Sequence, residues 1–201
     1  MTGAPDPAEL YERHAAGWDT DRAAARPHGE SGWIDRFLKT VPATGEVLDL
    51  GCGSGAPIGV QIAESGRSLT GVDAAPSLIA LSRTRLPGRT FHTADMRGLD
   101  LGRGFDGLVC WHALFHLPPE DHPAMFDVFA RHLKPAATLI FTSGTEQGET
   151  IGTWRGEALY HASLDTAQYR ALLDRQGFQV LDHVVEDPGC GGATIWLARR
   201  A

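Results

Sequence analysis

The chain has 201 residues, of which 42% are hydrophobic and 21% charged, and this length and composition are typical of one globular α/β domain. The formal net charge is -7 and the only adjacent basic residues are Arg199 and Arg200, which disfavours DNA or RNA as a partner. Cys52, Cys110 and Cys190 lack the spacing of a disulfide framework or a thiolate zinc site, and the chain shows neither a signal pattern nor an apolar run of about 20 residues. We therefore expect a cytoplasmic protein without a membrane partner.

Hydrophobic spacing predicts two helices, over residues 7–24 and 31–41, before any strand. From Glu46 onward, short apolar runs alternate with helical segments, which is typical of parallel strands joined by helices. The predicted strands lie at 46–50, 68–72, 90–93, 105–111, 137–142, 178–185 and 193–198. No helix separates the last two, so they should form an antiparallel hairpin.

All of these elements fit a single domain over residues 1–201. Its predicted parts are an N-terminal helical cap (1–44), a core (45–142), a lid or acceptor loop (143–161) and a C-terminal helix with the hairpin (162–201). The 143–161 segment is predicted as a long loop because it shows no clear period, and long loops are often functional. The C-terminal helix should begin at Asp165, whose spacing to Gln168 resembles a capping box.

A glycine-rich turn, Asp49 to Gly55, follows the first predicted strand. Open α/β sheets bind ligands beyond the carboxyl ends of their strands, and glycines let the backbone approach a ligand closely. Asp73 ends the next strand, where a carboxylate can accept hydrogen bonds from the two hydroxyls of a ribose. Gly51, Gly53 and Ala56, with this acid, also satisfy a dinucleotide fingerprint, so hydride transfer with NAD is an alternative at this point.

Several segments, taken together in chain order, resemble the class I S-adenosylmethionine-dependent methyltransferases. They are VLDLGCGSGAP (47–57) and LTGVDAAPSLIALSR (69–83) for the first two motifs, TADM (93–96) for the adenine acid, FDGLVCWHALFHLPPED (105–121) for the fourth strand and LKPAATLIF (133–141) for the fifth. The resemblance implies a Rossmann-like α/β fold with a seven-stranded, mostly parallel sheet, a C-terminal antiparallel hairpin and helices on both faces. Ala136 and Ala137 stand where the family often has two glycines, which makes a turn with positive φ less expected there.

The resemblance also implies a set of residues that bind S-adenosylmethionine. They are Tyr11, Asp49, Gly51, Cys52, Gly53, Asp73, Ala74, Asp95, Met96 and Trp111. The glycine turn would hold the methionine part, Asp73 the ribose, and Asp95 with the Met96 backbone the adenine. Asp49 would orient the turn or meet the amino group through water, and Tyr11 would bind the carboxylate as part of a closing lid.

Methyl transfer needs alignment and exclusion of water, and it needs a general base only when the acceptor must lose a proton. His112, at the end of the fourth strand, is the candidate catalytic base; alternatively it hydrogen-bonds the cofactor or the backbone. His116 lies four residues on, but no third ligand is near in sequence, so we expect no metal site. The candidate acceptor-binding residues are His14, Trp18, His116, Trp154, Tyr160 and His161.

The expected function is transfer of a methyl group from S-adenosylmethionine to a small-molecule acceptor, with S-adenosylhomocysteine as product. We expect a monomer or homodimer without a nucleic-acid partner. An NAD-dependent oxidoreductase and a non-methylating S-adenosylmethionine-binding protein on the same fold are the alternatives.

Overall fold

The computed structural model describes residues 6–24 and 29–201. Its helices are α1 (Pro7–Arg13), α2 (Ala15–Ala24), α3 (Glu30–Leu38), α4 (Ile58–Glu64), α5 (Pro76–Arg85), α6 (His122–His132) and α7 (Thr166–Arg175). Its strands are β1 (Glu46–Leu50), β2 (Ser68–Asp73), β3 (Thr90–Thr93), β4 (Phe105–Cys110), β5 (Leu133–Ser143), β6 (Gly148–Trp154), β7 (Glu157–Ser163), β8 (Phe178–Asp187) and β9 (Ala193–Arg200). Short 3-10 helices lie at Leu114–His116, Pro119–Asp121 and Pro188–Cys190.

Seven of the strands form one sheet in the order β3-β2-β1-β4-β5-β9-β8. Strands β1 to β5 pair in parallel, whereas β9 is antiparallel to both β5 and β8. The strand order reverses between β1 and β4, and in open α/β sheets such a point creates a crevice for ligands. The predicted seven-stranded, mostly parallel α/β sheet with an antiparallel C-terminal hairpin is confirmed.

The side chains of β1 point alternately to the two faces of the sheet. On each face they pack against apolar side chains of the helices that cover it. Leu48 belongs to a cluster that includes Phe126 of α6, and Val47 to a second cluster that includes Phe37 of α3. All four side chains are fully buried. Burying a large apolar side chain stabilises a fold by about 1.5–3 kcal/mol, so the two layers hold the ends of the strands in fixed positions.

Two predictions of local structure are wrong. Residues 7–24 form two helices, because the backbone of His14 (φ −114°, ψ 19°) leaves the helical range between α1 and α2. Residues 143–161 are not a loop, since β6 and β7 form a separate two-stranded antiparallel sheet. Its turn at Arg155 and Gly156 has φ of 52° and 81°, the positive values that a two-residue hairpin turn of type I′ requires.

The turn at Ala136 also differs from expectation, because this alanine has φ of +63°. A left-handed backbone costs a residue with a Cβ roughly 1–2 kcal/mol. The register between β4 and β5 shifts here, from Phe105 opposite Leu133 to Gly107 opposite Thr138. The turn absorbs the extra residues of β5, so strand pairing imposes the conformation although no glycine is present.

The start of α7 agrees with the sequence. The Asp165 side chain accepts the N–H of Gln168 and the Gln168 side chain accepts the N–H of Asp165, which together form a capping box. No helix within residues 6–24 and 29–201 combines the length and the apolar character that a membrane span requires.

Candidate functional site

A cavity of about 300 Å³, which we call the central cavity, opens at the carboxyl ends of β1, β2 and β4 and is also lined by α1 and α2. It lies where the strand order reverses. Every residue predicted to bind the cofactor lines it: Tyr11, Asp49, Gly51, Cys52, Gly53, Asp73, Ala74, Asp95, Met96 and Trp111. The structure therefore brings together residues that are spread over 101 positions of the sequence, from 11 to 111.

The glycine-rich turn forms one wall of this cavity. The N–H of Gly51 donates to the carbonyl of Val72 at 2.8 Å, which bends the chain sharply after β1. Gly51 has φ of +75°, and a Cβ there would lie 2.3 Å from the Cβ of Ala113. A Cβ on Gly53 (φ +54°) would lie 2.7 Å from the Trp18 ring. Because Gly51 and Gly53 have no side chains, the turn leaves space that Cβ atoms would otherwise occupy, and we call these two residues the glycine cradle.

Asp73 holds the turn in place. Its Oδ2 accepts the N–H of Gly53 and its Oδ1 accepts the N–H of Ala75, each at 2.9 Å. Burial raises the pKa of Asp73, and these backbone hydrogen bonds act in the opposite direction. Each carboxylate oxygen can accept a further hydrogen bond, so the group can still take one donor on each oxygen, as vicinal hydroxyls would supply.

Asp49 lies at the base of the cavity and is only 2% exposed. Burial, and then the negative charge of Asp73, raise the pKa of Asp49 to about 7. Two neighbouring carboxylates in a buried site repel each other, and a cation bound between them would relieve that repulsion. The base of the cavity is therefore suited to a positively charged ligand group.

Asp95 and Met96 lie after β3 and line the opposite end of the cavity. The Asp95 carboxylate accepts a hydrogen bond from Nη2 of Arg97 at 2.6 Å and another from its backbone N–H at 2.8 Å. Arg97 also reaches Asp121 at 3.1 Å. The sequence did not indicate this ion pair, which leaves Asp95 with only part of its acceptor capacity for a ligand.

Tyr11 lines the central cavity, and its hydroxyl is hydrogen-bonded to a histidine. Its hydroxyl lies 3.0 Å from Nε2 of His116, and Nδ1 of His116 lies 3.1 Å from the carbonyl of Tyr160. Only an N–H can satisfy that carbonyl, so Nδ1 donates to it and Nε2 accepts the hydroxyl proton of Tyr11. Burial lowers the pKa of His116 to about 4, which keeps the ring neutral. Both nitrogens are engaged, which disfavours His116 as a metal ligand or base.

His112 lines the central cavity beside Trp111, with ring centroids 5.6 Å apart. Its φ is +51°, and its N–H donates to Oγ1 of Thr142 at 2.8 Å. Non-glycine residues held at positive φ often occur at functional sites. The indole N–H of Trp111 is buried and has no hydrogen-bond partner within the described part of the chain. The catalytic role of His112 stays a prediction.

The β6–β7 hairpin reaches across the cavity to the N-terminal helices. Glu157 forms ion pairs with Arg13, at 2.6 Å, and with His14. Arg155 forms an ion pair with Asp21 at 2.9 Å. Exposed pairs of this kind contribute little to stability one by one, about 0–1 kcal/mol, but together they fix where α1 and α2 lie.

The N-terminal helices are also attached to α5. The Glu12 carboxylate accepts hydrogen bonds from the N–H and the hydroxyl of Ser77, at 2.8 and 2.7 Å, at the start of α5. Asp19 of α2 accepts two hydrogen bonds from Arg85, at 2.9 and 2.8 Å, near the end of the same helix. The cap is therefore connected to the sheet domain on one side and to the hairpin on the other.

The predicted acceptor residues divide into two groups. Trp18, His116 and His161 line the central cavity. His14, Trp154 and Tyr160 do not. Trp154 packs on Tyr11 with ring centroids 5.5 Å apart, and the Tyr160 hydroxyl donates to Glu149 at 2.7 Å. His14 and Trp154 thus connect the hairpin to the cap, with ring centroids 5.6 Å apart, whereas the Tyr160 side chain bonds within the hairpin.

Phe115 is a site residue that the sequence does not predict, although it lies in the segment 105–121 that resembles the fourth strand of the family. It lines the central cavity and also a second cavity of about 470 Å³, which we call the side cavity. The side cavity lies between the end of β5 and the hairpin and is lined by Phe115 and residues 143–150 and 161–163. The sequence does not indicate that this cavity adjoins the central cavity, with which it shares Phe115 and His161.

Comparison with known proteins identifies a methyltransferase domain over residues 47–136. The chain is 27% identical over 140 residues to a dTDP-4-amino-2,3,4,6-tetradeoxy-D-glucose N,N-dimethyltransferase of Saccharopolyspora spinosa, covering 68% of this chain and 54% of that protein. It is 30% identical over 142 residues to a 2-heptyl-1-hydroxyquinolin-4(1H)-one methyltransferase of Mycobacteroides abscessus, covering 66% and 62%. The chain thus spans about half to three fifths of the length of these relatives.

Solved structures share the fold. An amino pentose methyltransferase from Micromonospora echinaspora, solved with bound S-adenosylmethionine, superposes with a TM-score of 0.74 at 21% identity, over 92% of this chain and 96% of that one. A magnesium protoporphyrin IX methyltransferase from Synechocystis superposes with a TM-score of 0.72 at 19% identity, over the full length of both. Residues 47–136 thus match a methyltransferase domain, and the chain shares the fold of these solved methyltransferases.

Proposed function

We propose that the chain binds S-adenosylmethionine in the central cavity and transfers its methyl group to a small-molecule acceptor. The observation that carries the proposal is the convergence of the glycine cradle, Asp49 and Asp73 on one cavity. The relatives support it, since those named above are methyltransferases of amino sugars and of a quinolone. A cytoplasmic location, a monomeric or homodimeric state and the lack of a nucleic-acid partner belong to the same proposal.

The residues of the cavity fit this donor. The turn at Gly51 and Gly53 leaves room where side chains would stand, and the Asp73 oxygens each retain an acceptor position. The buried N–H of Trp111, unpartnered among the described residues, offers one donor to a ligand. The raised pKa of Asp49, caused by burial and by Asp73, favours a ligand that brings positive charge.

The protein's part in the reaction is to align the reactants and to exclude water. When bound, S-adenosylmethionine supplies a methyl group on a positively charged sulfur, which is already activated for in-line displacement. The Gly51 turn and Asp73 fix the position of the donor, while α1 and α2 cover it. Alignment of this kind lowers a barrier by about 7–11 kcal/mol in favourable cases. His112 lies where it can orient the acceptor or accept a proton from a hydroxyl acceptor.

Calorimetric titration of the protein with S-adenosylmethionine, S-adenosylhomocysteine and NAD tests the proposal. We expect micromolar binding of the first two and no binding of NAD at millimolar concentration. Transfer of an isotopically labelled methyl group to an acceptor then separates an enzyme from a non-methylating binding protein. Tight binding of NAD without binding of S-adenosylmethionine would favour an oxidoreductase and refute the proposal.

A further inference from the structure

The side cavity adjoins the part of the central cavity that contains His112. Phe115 and His161 line both cavities, and their ring centroids lie 5.3 Å apart. The ring of His112 lies 5.8 Å from that of Phe115, on the side of the central cavity. The two cavities therefore meet at Phe115 and His161, next to the end of β4, beside which the proposed donor site is formed.

The side cavity has polar and apolar walls, and its acidic side chains give it negative charge only. Its charged side chains are Glu146 and Glu149, and neither lysine nor arginine lines it in the part of the chain that the structure describes. Glu149 accepts one hydrogen bond, from the Tyr160 hydroxyl at 2.7 Å, and retains further acceptor positions. Thr145, Gln147 and Thr150 add hydroxyl and amide side chains to the wall, whereas the hydroxyls of Ser143 and Ser163 donate to the carbonyls of Gly144 and Leu164.

The cations that line the central cavity are already paired. Among the described residues they are Arg22, which binds Glu30 at 2.8 Å, and Arg97, which binds Asp95 at 2.6 Å. Proteins recognise phosphate groups mainly with arginine, lysine or helix N-termini. An acceptor with phosphate groups would meet the carboxylates of the side cavity without an unpaired cation to offset the repulsion.

We propose that the side cavity is the acceptor site and that it selects a small, hydroxylated amine that carries no phosphate. This inference rests on the proposed methyltransferase function. It distinguishes the chain from the relative that is named for a dTDP-linked amino sugar, since that name implies two phosphate groups on the acceptor. Glu146 and Glu149 attract the amine, and the hydroxyls of Thr145 and Thr150 bind its hydroxyl groups.

An amine also suits the chemistry of the site. The ammonium form loses one proton to solvent, and the neutral nitrogen attacks the methyl carbon. The nitrogen–carbon bond forms while the carbon–sulfur bond breaks, and the electron pair of that bond stays on sulfur. The positive charge moves from sulfur to the methylammonium product, where Glu146 and Glu149 stabilise it. No side chain has to act as the base, which agrees with the engagement of both ring nitrogens of His116.

Three matched sugars test the selectivity: D-glucosamine, D-glucosamine 6-phosphate and D-glucose. With S-adenosylmethionine present, we expect N-methylglucosamine from the first, at least a tenfold lower kcat/KM for the phosphate ester, and no product from glucose. Mass spectrometry with fragmentation identifies the methylated atom. Equal or faster transfer to the phosphate ester, methylation of oxygen, or no transfer to glucosamine would each overturn the inference.

Binding measurements on variants test the site itself. Glucosamine is titrated into protein saturated with S-adenosylhomocysteine, for the wild type, Glu146→Gln and Glu149→Gln. We expect each variant to weaken binding by about two- to fivefold, with a smaller difference at high salt, because these carboxylates are exposed to solvent. Glu64→Gln makes the same charge change at an exposed position of α4. Glu64 lines neither cavity, so this variant should leave binding unchanged.

These outcomes separate the inference from the function on which it rests. The affinity for S-adenosylmethionine is measured first, and loss of donor binding in the wild type would count against the proposed function. Normal donor binding, together with equal glucosamine affinity in Glu146→Gln, Glu149→Gln and Glu64→Gln, would count against the acceptor site alone.

Discussion

Replacing Asp73 by alanine should weaken binding of the proposed donor severely without unfolding the protein. Each Asp73 oxygen accepts one backbone N–H at 2.9 Å and keeps one position for a ligand hydroxyl. A hydrogen bond to a charged acceptor contributes about 1.5–3 kcal/mol, so loss of two weakens binding by about 3–6 kcal/mol. This corresponds to a rise in Kd of about 100- to 10,000-fold.

The variant also leaves two backbone N–H groups without their acceptor, which costs stability. Asp106→Ala is the matched control, because Asp106 likewise accepts a backbone N–H, that of Glu46 at 2.9 Å, but near the amino end of β4. Calorimetric titration with S-adenosylmethionine and thermal unfolding are measured for both. A Kd for Asp73→Ala within threefold of wild type, in folded protein, would refute the assignment of this carboxylate to the donor.

Three further outcomes are expected. Gly51→Ala should lower stability by about 2–4 kcal/mol in thermal unfolding, because the new Cβ meets Ala113 at a positive φ; an unchanged Tm would contradict this. Burial and the charge of Asp73 raise the pKa of Asp49 to about 7, so between about pH 4 and 7 the folded state holds a proton that the unfolded state has lost. The stability of the protein should therefore fall as pH rises from about 4 to about 7. Asp49→Asn should flatten this dependence of Tm on pH. Arg155→Ala should leave Tm nearly unchanged but speed hydrogen exchange in α1 and α2, whereas unchanged exchange would mean that the hairpin does not hold them.

The grouping of the residues of the proposed donor site in one cavity was largely predictable, because the sequence signals for it are local. Asp49, Gly51 and Gly53 lie within five positions of each other, and Asp73 ends the next strand, so strand pairing alone brings it near. The Cβ contact at Gly51 explains in physical terms why that position carries a glycine. The sequence does not predict the ion pair between Asp95 and Arg97. The two residues lie in a loop, where the spacing of residues does not determine which way their side chains point.

The hairpin was missed although its sequence contained a signal. Arg155-Gly156 lies between segments that carry Thr150, Ile151 and Thr153 on one side and Leu159 on the other, and two-residue turns often place glycine second. Glycines inside β6 and many polar residues obscured the alternation. Most residues of β6 are exposed, so this strand does not need an apolar face and its sequence shows no clear alternation.

The pairing of Tyr11 with His116 depends on tertiary structure alone. The two residues are 105 positions apart in the sequence, and the third partner is the backbone carbonyl of Tyr160. A backbone contact does not depend on residue type, so the sequence does not indicate it. Tyr11 lines the central cavity, and its predicted role in binding the cofactor carboxylate stays a prediction. Burial of the His116 imidazole favours a protein partner for each of its ring nitrogens, and the Tyr11 hydroxyl is one of them.

The β6–β7 sheet shares no strand pairing with the seven-stranded sheet. Its length, turn and side chains can change without a shift of register in the strands that carry the glycine cradle. Residues 144–164 are therefore a natural unit of exchange, which could be replaced to change the proposed acceptor site without altering the glycine cradle.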